Sequence, residues 1–200
     1  MCPRSFTRCQ GITLVPLAVC CVVANVLLFF PNGETQYARE WNLTRFVWFF
    51  SGIAGGGLLM VFPAAAFMNL GDCDGCCGSQ VYGKSCVMLS SVVAALMGLA
   101  GSSYCFVTSA LALTEGPYCN TTAGWQSPFA NQSGAYLTDR SQWSVCQEPL
   151  HVVEWNVGLF SVLLALSGVE ALICAVQVIS GLLGGLCRAC CHRNHYSLNA

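Results

Sequence analysis

The sequence predicts an all-α membrane protein, a four-transmembrane-helix bundle with a small disulfide-closed extracellular cap and both termini cytoplasmic. Two observations carry most of that expectation. Of 200 residues, 55% are hydrophobic and only 8% are charged, whereas a soluble domain carries about 25% charged residues. Such a chain cannot keep a globular surface wet. The apolar residues also gather into four runs, each long enough for the roughly 20 residues that a helix needs to cross a bilayer core. The last run, Val157 to Leu186, holds a single charge, Glu170, near its middle. A carboxylate at mid-depth costs about 2.5–3.5 kcal/mol on insertion scales, so this run is built to face other helices.

Residues 1–10 are polar, with Arg4 and Arg8, and form the N-terminal cytoplasmic segment. Residues 11–30 are the first span. Their apolar core exceeds that of a secretory signal peptide and no small-residue cleavage site precedes Pro31, so the run reads as an uncleaved signal anchor. Pro16 is placed to kink it, and Asn25 is its one strongly polar side chain. Pro31-Asn32-Gly33 is a turn signal, and residues 31–45 make a short extracellular loop without cysteine. Residues 46–70 are the second span, opening with Phe46, Trp48, Phe49 and Phe50, the composition of an interfacial belt. Gly52 and Gly56 form a small-xxx-small pair that lets helix backbones approach closely; packing inside the bundle is expected over pairing with a second chain, although a homo-oligomer stays open.

Residues 71–86 are a cysteine-rich cytoplasmic loop and 87–113 the third span, with Ala94, Gly98 and Ser102 as a smooth stripe. Residues 114–154 are a large extracellular loop. Residues 155–187 are the fourth span, with Ser167, Ala171 and Ala175 on one stripe and Gly181 and Gly185 on another, and residues 188–200 are a cytoplasmic tail. No repeat of solenoid length is present.

Three signals set the orientation. Arg4, Arg8, Lys84, Arg188 and Arg193 fall inside, against Arg39, Arg45 and Arg140 outside, a lean in the direction of the positive-inside rule. The sequons at Asn42, Asn120 and Asn131 all fall outside, as N-glycosylation requires. Of fifteen cysteines only Cys119 and Cys146 fall outside; two cysteines in an oxidising compartment read as one disulfide. Cys20, Cys21, Cys105 and Cys174 lie within spans and are expected to act as small apolar residues.

The remaining cysteines, Cys2, Cys9, Cys73, Cys76, Cys77, Cys86, Cys187, Cys190 and Cys191, cluster at the cytoplasmic membrane face. Cys73-x-x-Cys76-Cys77 with Cys86, or Cys187, Cys190 and Cys191 with His192, have spacings that suit tetrahedral zinc. Juxtamembrane cysteines in three separate segments fit reversible S-acylation better, so no metal is expected.

Glu170 has two readings. It is a proton or cation site, or it is a protonated carboxyl hydrogen-bonded to a neighbouring helix, with Asn25 or Gln177 as partners. A lone acidic group without discontinuous helices or repeat symmetry is a thin case for transport, which favours the second. In the large loop, Trp125, Phe129, Tyr136 and Trp143 are expected to pack as the core of the cap, and Asp139 with Gln142 resembles a capping box, predicting a short helix that leads to Cys146. Trp155 marks the membrane boundary. No Gly-x-Ser-x-Gly, His-Glu-x-x-His, phosphate loop or intramembrane aspartate pair occurs, so no catalytic residue and no cofactor are expected. The net charge of −1 gives no basic footprint for nucleic acid.

Several stretches carry a specific resemblance: Met1-Cys2 with Arg8-Cys9, Phe30-Pro31-Asn32-Gly33-Glu34-Thr35, Val47-Trp48-Phe49-Phe50 and Glu115-Gly116-Pro117-Tyr118-Cys119. Gly134-Ala135-Tyr136-Leu137, Cys146-x-Glu148-Pro149, Val153-Glu154-Trp155-Asn156 and Leu159-Phe160-Ser161 continue it. Across all four spans the chain resembles the L-six family of four-transmembrane, tetraspanin-like proteins, named for a tumour-associated surface antigen; the tail after Arg188 ends in its own sequence. Tetraspanins proper carry Cys-Cys-Gly in the large outer loop, whereas here Cys76-Cys77-Gly78 lies on the cytoplasmic side. The resemblance implies a multi-pass protein of the plasma membrane, and also of endosomal or lysosomal membranes. It implies an organiser among membrane lipids that associates laterally with integrins and tetraspanins and affects adhesion, migration and proliferation. The alternative from the residues is a lipid- or small-molecule-binding membrane protein, a transporter or sensor, using Glu170 and Asn25 between helices.

Overall fold

The computed structural model describes residues 4–69, 82–132 and 134–197, with side chains over 6–69, 89–132 and 134–183. Its helical segments form four candidate membrane spans, Phe6–Leu27, Arg45–Asn69, Leu89–Glu115 and Val152–Leu183. The first is α1, Arg4–Leu27, which runs through Pro16 without a break. It ends three residues before the expected boundary, in a turn closed by the Pro31–Gly33 segment, where Asn32 and Gly33 take positive φ. A short α2, Gln36–Arg39, crosses the first loop.

The second span is not one helix, and this corrects the expectation of a continuous run. A 3-10 turn over Arg45–Phe49 ends at Phe50 in the left-handed region. A single helical turn follows, α3, Ser51–Ala54. The chain then unwinds through Gly55–Gly57 into a 3-10 turn, Leu58–Met60, and resumes as α4, Val61–Asn69. The Ser51 carbonyl accepts from both the Gly55 and Gly56 amides, at 2.8 and 3.1 Å. Three consecutive glycines carry a helix penalty of about 0.8–1.0 kcal/mol each, and here they are used for backbone approach. A methyl placed on Gly55 would lie 2.5 Å from the Gly101 carbonyl oxygen, and one on Gly101 would lie 2.7 Å from that of Gly55.

The third span belongs to α5, Tyr82–Glu115, and the fourth to α6, Val152–Ser197. Helix α6 therefore continues past residue 187 into the segment expected to be a tail. Helices α5 and α6 pack along each other most extensively, while α1 packs on α4 and α6. Gly98 lies against Cys174 and Pro63, and Gly181 against Val92, so both glycines serve contacts within the bundle.

Two apolar layers fill the bundle. One, toward the cap, includes Ala24, Leu28, Phe46, Val47, Ala112, Phe160 and Leu163. The other, toward the chain termini, includes Leu14, Met60, Ala64, Phe67, Ala95 and Cys174. The outward faces carry exposed apolar side chains such as Val19, Phe62, Leu96, Leu172 and Ile179, as expected of surfaces whose solvent is lipid.

Above the bundle sits a cap with its own core: Cys119, Phe129, Tyr136, Val152 and Val153. Cys119 and Cys146 are joined by a disulfide, with their Cα atoms 5.5 Å apart. The cap also contains a two-stranded antiparallel ribbon, β1 (Cys119–Thr121) and β2 (Gly124–Gln126), turning at Gly124 with positive φ. Sequence reading gave no strand there. The expected short helix before Cys146 is a 3-10 helix, Arg140–Val145, capped by Asp139, whose carboxylate accepts from the Ser141 amide at 3.1 Å. Gln142 donates to the Asp139 side chain at 3.1 Å, so its arm of the box runs to the carboxylate rather than to the Asp139 backbone.

Candidate functional site

Glu170 lies on α6 between the two apolar layers and is fully buried. Its Oε1 accepts from the Cys21 thiol of α1 at 3.8 Å, and its Oε2 has no protein partner. The expected partners are corrected. Gln177 donates instead to Gln10 on α1, two turns farther toward the termini. Asn25 is fully buried near Cys21, but neither its amide nitrogen nor its oxygen has a partner. Cys21 is accordingly more than an apolar filler, while Cys20, its neighbour, is exposed.

The glycines of the second span make this arrangement possible. A methyl on Gly52 would lie 2.7 Å from Asn25 Cβ, 2.8 Å from the Cys21 carbonyl and 2.9 Å from Leu163. One on Gly56 would lie 3.0 Å from Cys21 Sγ and 3.4 Å from Glu170 Oε2. The unwound segment thus faces the carboxylate. The discontinuous helix whose absence weighed against a functional Glu170 is present, and it passes beside that residue. Ser51 and Ser109 complete the layer: both are buried, their hydroxyls meet no nitrogen or oxygen, and both face the Cys105 thiol together with Ser167. Ser102 and Ser167 close their hydroxyls onto carbonyls of their own helices, at 2.8 and 2.6 Å.

Among the described residues no group of three or more His, Cys, Asp or Glu side chains is placed to hold a metal ion. Cys9 is exposed near the start of α1. Cys2, Cys73, Cys76 and Cys77 lie outside the described residues, as do the side chains of Cys86, Cys187, Cys190 and Cys191 and the surroundings of Gly185. An apolar groove of about 220 Å³ runs between α1 and α4, lined by Val15, Ala18, Val19, Met60, Val61 and Ala64 among others.

The cap's aromatic residues turn inward. Phe129 and Tyr136 stack at 4.5 Å, Tyr118 and Trp125 at 5.8 Å, and Trp143 donates its indole N–H to the Tyr136 carbonyl at 2.8 Å. The Tyr136 hydroxyl donates to the Leu113 carbonyl at 2.7 Å, one of the last four carbonyls of α5, which lack a partner in their own helix. Trp155 donates to the Leu27 carbonyl at 3.0 Å, Asn32 to that of Leu150 at 2.6 Å, and Arg45 pairs with Glu115. The cap is thereby clamped to the end of α5 and to the first loop, while Trp155 and Arg45 tie span ends to one another. Around it, Phe29 stacks on Phe50 at 5.3 Å and meets Trp48 edge-on at 5.4 Å, and Trp48 stacks on Trp41 at 4.3 Å. Phe46 points inward instead, into the core.

The three sequon asparagines differ in setting. Asn131 is exposed in a turn, its Ser133 lying outside the described residues. Asn120 is held in β1, its side chain donating to Glu148 at 3.3 Å, and Asn42 donates to Glu40 at 3.1 Å.

Four spans, a disulfide-closed cap between the third and fourth, and a buried polar layer define a tetraspanin-like multi-pass membrane protein. The chain belongs to the L6 membrane protein family, whose pattern matches residues 1–191. It is 58% identical to human transmembrane 4 L6 family member 1 over 98% of this chain and 99% of that protein. It is 47% identical to rat family member 4, covering 95% and 94%, and 41% identical to bovine family member 18, covering 92% of each. No solved structure matches it.

Proposed function

We propose that this protein is a lateral adaptor of membrane microdomains, oriented with the cap outside and both termini in the cytoplasm. In this reading it sits in the plasma membrane and in endosomal or lysosomal membranes, and it gathers integrins and tetraspanins so as to affect adhesion, migration and proliferation. The observation that supports it most is the clamped cap. Hydrogen bonds from Tyr136 to the end of α5 and from Asn32 of the first loop to Leu150 fix a small rigid surface to a bundle whose outward faces are free to meet lipid and other helices. N-glycans on Asn131, Asn120 and Asn42 and S-acyl chains on Cys9 and the other inner-face cysteines belong to the same reading. Each buried methylene of an acyl chain adds about 0.8 kcal/mol of membrane affinity; a four-span protein needs no anchor, so the chains would tune its lipid surroundings.

Proximity labelling on intact cells tests this, comparing wild type with a variant whose inner-face cysteines are all serine at matched surface level. Labelled adhesion receptors and tetraspanins, lost in the variant, are the expected result. Their absence even for wild type would end the adaptor reading. A second reading, a transporter or sensor working through Glu170 and Asn25, is favoured by the unpartnered polar atoms beside the broken second span. Glu170→Gln separates the two, because it keeps a hydrogen-bonding group but removes the ionisable one. An adaptor retains its surface level and partners, whereas a proton- or cation-linked function is lost.

A further inference from the structure

We propose that the centre of the bundle is a binding site for water, in which bound water bridges Asn25, Ser51, Ser109 and Glu170. Each of the four spans contributes one of these side chains: Asn25 from α1, Ser51 from the broken second span, Ser109 from α5 and Glu170 from α6. All four are fully buried. Asn25 and Glu170 present atoms without a protein partner, and the Ser51 and Ser109 hydroxyls meet no nitrogen or oxygen, only the Cys105 thiol. They form one cluster, because Cys21 touches Glu170 and the Gly52–Gly56 turn that also borders Asn25, and Cys105 adjoins Ser51 and Ser109.

The chemistry of the unpartnered atoms selects the occupant. Asn25 Nδ2 needs an acceptor, Asn25 Oδ1 needs a donor, and the two hydroxyls take either role. A bare cation would satisfy the oxygens and repel the amide N–H. Water supplies donors and acceptors together, and polar groups buried in this way are the ones that structural waters serve. The close approach of the second span, where a methyl at Gly52 or Gly56 would meet atoms at 2.7–3.0 Å, excludes an occupant as large as a lipid headgroup. The apolar layers above and below seal the site, so its water is held within the membrane span. This inference stands apart from the adaptor reading, and neither depends on the other.

Pulsed X-ray radiolysis of the full chain in lipid nanodiscs, read by mass spectrometry, tests it. Radicals formed from bound water oxidise the side chains in contact with that water, and sulfur groups react fastest. Cys21 and Cys105 border the proposed site, while Cys174, an equally buried thiol in the apolar layer, is the dry reference. We expect Cys21 and Cys105 to oxidise at least tenfold faster than Cys174, and that excess to fall several-fold in Ser51→Ala/Ser109→Ala, which removes two hydroxyls without adding volume. Oxidation of both thiols no faster than that of Cys174 overturns the proposal. An excess that the double variant leaves unchanged also overturns it, because the water would not be held by these groups. So does a dry result combined with a lipid that survives detergent exchange in native mass spectrometry, which would assign the site to a lipid hydroxyl.

Discussion

A methyl group added at Gly52 has nowhere to go. It would press on Asn25, on the Cys21 carbonyl and on Leu163 within 3 Å, and two of those contacts belong to neighbouring backbone or to a Cβ that cannot rotate away. Overpacking of this kind costs about 1–3 kcal/mol. Gly52→Ala should therefore lower the thermal midpoint in micelles, whereas Gly158→Ala on α6, where nothing lies within 4 Å, should leave it unchanged or raise it, by about 0.4–1 kcal/mol. Equal effects from both would show that Gly52 is not in close contact with the neighbouring spans. Tyr136 gives a second test at this scale. Burial pushes its phenol up to about 12, above the ordinary value of about 10. Below pH 10 both folded and unfolded chains hold the proton and the bond to Leu113 contributes in full. From about pH 10 to 12 the unfolded chain loses the proton first, so stability falls as pH rises. Tyr136→Phe should cost about 0.5–1.5 kcal/mol at neutral pH, and the wild-type advantage should shrink as pH rises through this window. Melting curves of both proteins from pH 8 to 12 measure it.

The second span is the element whose sequence and structure diverge most, and its glycines explain why. Hydropathy marked it as an apolar run long enough to cross a bilayer, because a bilayer sets length. The pair Gly52 and Gly56 reads identically whether a helix packs closely or unwinds, since both need a missing side chain. What decides is Gly101 on α5, which meets Gly55 backbone to backbone, and that meeting depends on where two separate helices cross. The same limit applies to Glu170. Its cost in lipid made it legible as a residue that faces the bundle. Its neighbour was not legible, because Gln177 and Asn25 are both on plausible faces and only the offset between α1 and α6 pairs Gln177 with Gln10. The cap disulfide was legible because only two cysteines fall between the third and fourth spans; the β1–β2 ribbon was not, being three residues a side. If the unwinding is fixed by the Gly55–Gly101 contact, Gly101→Ala should act on the second span from a distance. We expect it to destabilise by about 1–3 kcal/mol and to speed amide hydrogen exchange over residues 52–60. Destabilisation without faster exchange there would mean that the break holds without α5.

At the scale of the molecule, cap and bundle are stabilised by different solvents. The spans satisfy their backbone groups within themselves and are held in lipid, with two apolar layers between them. The cap has only a small core of its own and borrows stability from the Cys119–Cys146 link and from its hydrogen bonds to span ends. A disulfide closing a loop of this length is worth roughly 3 kcal/mol in the chain-entropy account, and that is comparable with the whole stability a core so small can supply. Cys119→Ser/Cys146→Ser should therefore open the cap and leave the bundle folded. In nanodiscs, protease cleavage within residues 122–150 should accelerate on the order of 100-fold, because 1.4 kcal/mol is a factor of ten and cleavage follows the open fraction when opening is fast. The far-ultraviolet helical signal should be retained. If that signal collapses along with protection of the cap, the clamps made by Tyr136 and Asn32 transmit the loss into the spans, and the cap is then part of what holds the four helices in register.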